Sequence, residues 1–138
     1  MNQPQKIHEK HDSDFALFIE AGFVAVNQLD EVSATSCFNA ATTLRPHSTA
    51  PKLGLGFIAL NKMDHGTAQN YFKDVLDQDP DHDLARVFLG IALAFQNDTR
   101  HQGRQMIEDM LSKSNDEHVV HLAKTSLEWI QKDFGVKV

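Results

Sequence analysis

The chain repeats itself every 34 residues. When the sequence is aligned with itself at this offset, residues 15–48 and 49–82 share nine identities in 34 positions, whereas ordinary composition would give about two by chance. A glycine and an aspartate recur in a third copy, at Gly22, Gly56 and Gly90 and at Asp30, Asp64 and Asp98. A fixed period of this length predicts a protein built by stacking copies of one structural unit.

The repeated residues have the types that closely packed helical hairpins need. Each of the first two copies has a glycine in its first half, an alanine and a phenylalanine four residues apart in its second half, and a proline near its end. These residues are Gly22, Ala34, Phe38 and Pro46, then Gly56, Ala68, Phe72 and Pro80. Glycine and alanine let two helices approach closely, and proline ends a helix because it has no N–H to continue the hydrogen bonding. We therefore expect two helices in each copy.

The third copy fits the same pattern once a single residue is inserted after Asp98. Gly103 then takes the small position of the second helix and Ile107 the large one. An extra residue in a surface turn costs little free energy. In the turn before this copy, Asp81 or Asp83 is expected to cap the next helix.

A last amphipathic helix follows the third copy. Apolar residues recur there at steps of three and four, at Val120, Ala123, Leu127, Ile130 and Phe134. Asn115 or Asp116 can cap this helix, and Gly135 ends it. Trp129 is one position off the apolar face, where it reaches either back onto the third hairpin or outward to a partner. Solenoids need such a terminal helix to cover their last apolar face.

The fold class predicted is all-α, with a single domain over residues 15–134 and a polar mobile tail over residues 1–12. The domain consists of three hairpin repeats, 15–48, 49–82 and 83–116, and a capping helix over 117–134. The predicted helices span about 14–28, 31–44, 48–62, 65–78, 82–96, 99–113 and 117–134.

The repeat resembles the tetratricopeptide repeat (TPR), whose pattern has Leu-Gly in its first helix, Ala-x3-Phe in its second and a closing proline. This resemblance implies a right-handed solenoid whose inner surface, lined by the first helix of each repeat, binds a partner protein. By register, the expected groove residues are Ile19, Phe23, Val26, Asn27, Leu53, Phe57, Leu60, Asn61, Val87, Ile91 and Phe95. Leu55, Leu89, Phe38 and Phe72 are expected to be core.

The expected groove is almost entirely apolar. Some TPR domains hold the carboxylate at the end of a chaperone tail with cations in this groove, but Asn27 and Asn61 are its only polar residues here. A carboxylate would lose its water there without gaining a partner, at a cost of several kcal/mol. An apolar ligand is therefore predicted, either an amphipathic helix or an extended apolar segment. We expect Phe57→Glu to abolish partner binding and to leave the helicity intact.

Charge and cysteine content exclude several classes of function. The net charge of −6 argues against binding to nucleic acid or to an anionic membrane surface. The single cysteine, Cys37, excludes an intramolecular disulfide and a cysteine-rich zinc site, and is expected to be a small buried residue. The first 14 residues contain no apolar run typical of a secretion signal, and no apolar stretch is long enough to span a membrane. A cytoplasmic location is therefore expected.

No pattern predicts catalysis, a cofactor or a metal. Asp77, Asp79, Asp81 and Asp83 alternate as in a calcium loop, but the positions that need glycine and glutamate hold His82 and Phe88. The eight histidines form no HExxH motif; His118 and His121 share one helix face without a carboxylate to complete a site. The chain is therefore expected not to be an enzyme.

A stand-alone TPR protein of this size with an apolar groove is similar to the TPR-class chaperones of bacterial type III secretion. It is more similar to those of the needle subunit than to those of the translocators. The resemblance implies a chaperone that sequesters an amphipathic segment of a secreted partner and that works alongside a second small helical chaperone. The alternative is a general TPR scaffold or assembly factor, or a homodimerising interaction module without a chaperone role.

Overall fold

A computed structural model describes the backbone of residues 4–135 and the side chains of residues 10–135. Within residues 4–135 the chain is all-α, with seven helices and no strand. The helices are α1 (Pro4–Asn27), α2 (Glu31–Leu44), α3 (Ala50–Asn61), α4 (His65–Gln78), α5 (Asp83–Ala94), α6 (Arg100–Lys113) and α7 (Glu117–Phe134). The predicted bounds of α2, α4 and α7 match, and those of α3, α5 and α6 differ by one or two residues.

The start of α1 differs most from its prediction. The helix begins at Pro4, so residues 4–12 of the predicted tail are helical, and residues 1–3 lie outside the described part of the chain. Proline suits the first turn of a helix because its missing N–H would have no partner there. About two turns later, Asp12 pairs with Arg45 at the end of α2, and the Arg45 guanidinium lies 4.7 Å from the centre of the Phe15 ring. These contacts join the extension to the first hairpin.

The helices pack in chain order as hairpins, each of which contacts the next. α1 packs on α2, α3 on α4 and α5 on α6, and each hairpin meets the next through α2–α3 and α4–α5. The odd-numbered helices also contact one another in sequence, from α1 through α3 and α5 to α7. Helix α7 therefore packs on α5 as α3 packs on α1, and it covers the apolar side of α5 and α6.

The close helix contacts predicted from the repeated glycines are present in all three hairpins. A Cβ on Gly22 would lie 2.6 Å from the Phe38 ring, and one on Gly56 would lie 2.6 Å from the Phe72 ring. In the third hairpin, a Cβ on Gly90 would lie 2.7 Å from Ile107 and 2.8 Å from the carbonyl oxygen of Gly103. The contacts of Gly90 with Gly103 and Ile107 agree with the alignment of the third copy with its inserted residue.

The turns inside the first two hairpins have the same unusual backbone. Leu29 and Met63, 34 residues apart, have φ of 59° and 62°, the left-handed region that side chains disfavour. Their N–H groups donate to the carbonyl oxygens of Val26 and Leu60, each at 3.0 Å. The following aspartate then caps the second helix. Each hairpin therefore reverses direction within three residues.

The turn between α5 and α6 is built differently. It has five residues, and the side chain of Arg100 takes over part of the capping: its Nε donates to the carbonyl oxygen of Ala94 at 2.8 Å. The Thr99 hydroxyl donates to the carbonyl oxygen of Leu93 at 2.7 Å. The Arg100 guanidinium also lies 3.8 Å from the centre of the Phe134 ring, at the end of α7. One arginine thus joins three helices.

Candidate functional site

An open apolar cleft lies between α3, α5 and α7, and we call it the α7 cleft. Its volume is about 410 Å³. Its lining comprises Phe57, Leu60, Asn61, Met63, Phe88, Ile91, Phe95, Leu122, Thr125, Ser126 and Trp129. No lining residue is charged, and the hydroxyl of Ser126 already donates to the carbonyl oxygen of Leu122 at 2.7 Å. The cleft is therefore suited to an apolar surface.

A smaller cleft, the α1 cleft, lies beside the first one, between the α1–α2 turn and the end of α3. Its volume is about 120 Å³, and it is lined by Val26, Leu29, Glu31, Ile58, Asn61 and Lys62. Its two charged residues neutralise each other, since Lys62 Nζ lies 3.0 Å from Glu31 Oε1. Asn61 lines both clefts. The two clefts are thus neighbours across the end of α3.

Five of the predicted groove residues line the α7 cleft. These are Phe57, Leu60, Asn61, Ile91 and Phe95. Four of them are half-buried, and Asn61 is exposed.

Two other residues of the predicted groove, Leu53 and Val87, are buried in the packing between helices and line neither cleft. Val26 is also buried, although it borders the α1 cleft. Their positions on the first helices face the neighbouring helix rather than the open side. The half-buried Ile19 and Phe23 and the exposed Asn27 line neither cleft.

The phenylalanines are partly interlocked inside the protein. The rings of Phe23 and Phe57 lie 6.5 Å apart, and the Phe57 ring meets Phe88 edge-to-face at 4.8 Å. Phe38 and Phe72 are fully buried, as predicted. Leu89 is buried as predicted, whereas Leu55 is only half-buried. Phe57 therefore has two roles, since one part of it packs in the core and another part borders the α7 cleft.

Helix α7 supplies one wall of the α7 cleft, which the sequence pattern did not predict. Leu122 and Trp129 line this wall, and the Trp129 ring lies 4.9 Å from Phe95 and 5.3 Å from Phe134. The position of Trp129 beside the predicted apolar face was the available signal, and the structure shows that Trp129 packs on the third hairpin and borders the cleft at the same time.

Hydrogen bonds at the first two turns shift the pKa values of two aspartates. Asp30 Oδ1 accepts the N–H of Ser33 at 3.1 Å, and Asp64 Oδ1 accepts that of Thr67 at 3.3 Å. Hydrogen bonds from Ser33 and Thr67 hold the pKa of each carboxyl below its ordinary value. The hydrogen bond from Lys62 to Glu31 raises the pKa of Lys62. These aspartates are therefore charged beside both clefts at neutral pH.

The aspartate and histidine patterns noted in the sequence form no metal site among the described residues. No group of three or more His, Cys, Asp or Glu side chains there could hold a metal ion. The expected cap of α5 is corrected: His82 Nδ1, rather than Asp81 or Asp83, accepts the N–H of Ala85 at 3.2 Å. Cys37 is half-buried. None of the helices that the structure describes combines the length and apolar character needed to cross a bilayer.

A second apolar surface lies on the outer side of α1. Leu17 and Val24 are exposed there, although the equivalent residues of α3, Pro51 and Ile58, are buried. The difference arises because α2 covers α3, whereas none of the described helices covers this side of α1. This outer surface of α1 is therefore open at one end of the stack.

No family model, curated protein or solved structure matches this chain.

Proposed function

We propose that this chain is a non-catalytic, cytoplasmic protein-binding chaperone or adaptor that holds an apolar segment of a partner in the α7 cleft. The observation that supports this most directly is the composition of the cleft. In addition to Phe57, its lining has seven large aliphatic, thioether or aromatic side chains, and it has no charged residue. Water on such a surface is released when a partner covers it, which stabilises the complex.

The finer fold in this proposal is a TPR solenoid of three repeats with α7 as its cap. The 34-residue period, the glycine contacts and the contacts between successive odd-numbered helices support it. In such a solenoid the odd-numbered helices line the inner face. The partner proposed from the resemblance is a type III secretion subunit, of the needle or the translocator, with a second small helical chaperone as a further component.

Co-expression with such subunits from the same genome, each of which aggregates when expressed alone, tests the proposal. A chaperone raises the soluble amount of one of them, because sequestering an apolar segment opposes self-assembly by mass action. If no subunit becomes more soluble, the chaperone role is contradicted.

A matched pair of variants locates the binding surface. Met63 and Val32 are both exposed apolar residues, at 57% and 78% of their full surface, but only Met63 borders the α7 cleft. Met63→Glu places a charge in the contact and is expected to reduce the soluble partner about tenfold or more, since an unpaired buried charge is costly. Val32→Glu is expected to have no effect, and equal losses in the two variants would place the partner elsewhere.

Met63→Glu tests binding more clearly than Phe57→Glu does, because Phe57 is also part of the core. The Phe57 ring packs on Phe88, so we now expect Phe57→Glu to destabilise the fold as well as to affect binding. A loss of binding in that variant would not separate the two effects.

The exposed apolar surface of α1 favours a second candidate function, a homodimerising scaffold. Leu17 and Val24 would lie in the contact between two copies. The test is the molar mass in solution: a dimer that becomes a monomer in Leu17→Glu, with no solubilised partner in the co-expression, would favour the scaffold. A monomer at all concentrations would exclude it.

A further inference from the structure

From the charges beside the two clefts we infer that the partner segment is a basic amphipathic helix, whose apolar face covers the clefts and whose lysines or arginines lie against Asp30, Asp64 and Asp98. The inference rests on the proposed function and adds the chemical class of the partner. It follows from three features of the site: the charge at its border, the absence of a strand edge in the described part of the chain, and the position of two exposed apolar residues.

The border of the clefts is acidic. The turns at residues 28–30, 62–64 and 95–99 border them, because Leu29 lines the α1 cleft, and Met63 and Phe95 line the α7 cleft. Each turn contains one aspartate of the 34-residue repeat. Among the described side chains, none of the three forms an ion pair.

The cations at these turns are already engaged. Lys62 pairs with Glu31, and the Arg100 guanidinium donates to Asn97 Oδ1 at 2.8 Å and to the carbonyl oxygen of Ala94. The three carboxylates form no ion pair among the described side chains, although Lys62 also interacts electrostatically with Asp64. They can therefore attract a cationic partner, whereas the α7 cleft itself is uncharged. This distribution complements a segment that is apolar on one face and basic at its sides.

An exposed apolar residue precedes the aspartate in the first two turns. Leu29 is 84% exposed and Met63 is 57% exposed. Apolar and acidic side chains therefore alternate along the border of the clefts. A basic amphipathic helix presents a complementary pattern, in which apolar and basic residues lie next to each other. Neighbours on one face of such a helix are three and four residues apart.

A helix suits this surface better than an extended strand. Within residues 4–135 there is no sheet edge to pair with the backbone of a strand, whereas a helix satisfies its own backbone hydrogen bonds. The surface from the α1–α2 turn to α7 crosses three helix spacings of about 9 Å each. A helix of roughly 18 residues, at 1.5 Å per residue, spans that length.

Synthetic peptides test the inference on the full chain. The probe is an 18-residue helix-forming peptide of leucine and lysine in an amphipathic pattern, and its counterpart has glutamate in place of lysine. Trp129, the single tryptophan of the chain, lies in the α7 cleft and reports binding by its fluorescence. We expect the lysine peptide to bind at least about tenfold more tightly, with a difference that shrinks as salt is added.

Two double variants with the same change in net charge distinguish attraction by the aspartates at the clefts from attraction by the net charge of the whole protein. Asp64→Asn with Asp98→Asn removes charge at the clefts, and asparagine keeps the helix cap at residue 64. Asp77→Asn with Asp81→Asn removes the same charge near the opposite end of the hairpins. The first pair is expected to weaken binding of the lysine peptide about fivefold at low salt, and the second pair less than twofold.

Two neutral variants check that the peptide covers the cleft. Met63→Gln is expected to weaken binding several-fold, and Val32→Gln to leave it unchanged. Equal binding of the two peptides, equal effects of the two aspartate pairs, or no effect of Met63→Gln would each overturn the inference. Equal binding of both peptides would leave the proposed apolar binding site intact, whereas failure of the co-expression would contradict the proposed function itself.

Discussion

Gly56 shows how one missing side chain sets the distance between two helices. A Cβ there would lie 2.6 Å from the Phe72 ring, whereas a Cβ on Gly66 would meet nothing within 4 Å. We expect Gly56→Ala to lower the free energy of unfolding by about 1–3 kcal/mol, because the packed ring cannot move away without strain. Gly66→Ala is the matched control and is expected to raise it by about 0.5–1 kcal/mol through helix propensity. Urea unfolding followed by circular dichroism measures both, and equal effects would contradict the close contact.

The backbone of Leu29 has a conformation that destabilises the fold. Its φ of 59° is disfavoured for a branched side chain, and its side chain is too exposed to gain from packing. Leu29→Gly is therefore expected to raise the free energy of unfolding by about 1 kcal/mol. Leu17→Gly, on the exposed side of α1, is expected to lower it by a similar amount because its backbone is helical. The same sign for both substitutions in thermal unfolding would disprove the strain.

The location of Leu29 and Met63 at the border of the clefts suggests why their strained left-handed backbone is retained. A glycine at either position would relieve it but would remove an apolar side chain from the border of a cleft. Strained residues are often found where the surrounding structure needs a particular side chain. Contact with the proposed partner requires an apolar side chain at these two positions.

At the scale of the helix, the capping aspartates make the stability depend on pH. Because the pKa values of Asp30 and Asp64 are lowered in the folded state, their stabilising contribution is complete above the ordinary value of 3.8 and is lost as the pH falls through the lowered values. We expect the urea midpoint to fall below pH 4. Asp30→Asn with Asp64→Asn keeps the caps and should show a smaller fall, measured between pH 6 and pH 2.5. An unchanged fall would exclude these two carboxyls as its cause.

The raised pKa of Lys62 acts at the other end of the pH range. Its pairing with Glu31 stabilises the fold below the ordinary value of 10.5 and is lost as the pH rises through the higher folded value. Both groups are exposed, so this contribution is screened by salt. The first two turns thus contain stabilising charges that act at both extremes of pH.

At the scale of the whole molecule, α7 completes the stack. Ile130 is fully buried against α5 and α6 in a cluster with Ile107 and Met110. Ile130→Ala is expected to lower the free energy of unfolding by about 2–5 kcal/mol. Because neighbouring repeats of a solenoid stabilise one another locally, Trp129 fluorescence should report unfolding of α7 at a lower urea concentration than circular dichroism does for the whole chain. Val120→Ala, at a half-buried position of the same helix, is the control, and coincident transitions in Ile130→Ala would show that the stack unfolds as one unit.

The sequence alone determined the all-α fold class, the succession of helices and the residues at which α2, α4 and α7 begin and end. These features are local, because a capping aspartate, a proline or a left-handed glycine acts on its own neighbours, and the 34-residue period reveals each signal more than once. It also predicted the close approach of the two helices at the repeated glycines Gly22 and Gly56.

Only the tertiary structure decided which apolar residues remain open to a partner. Leu53 and Phe57 are equally hydrophobic and lie four residues apart on α3, yet Leu53 is buried between helices and Phe57 borders the cleft. Burial depends on how closely the neighbouring helix approaches, and hydrophobicity along the chain carries no information about that distance. The wall formed by Trp129 follows from the packing of α7 against the end of α5. The contact between Phe95 and Trp129 joins residues 34 positions apart, which a pattern within one helix does not contain.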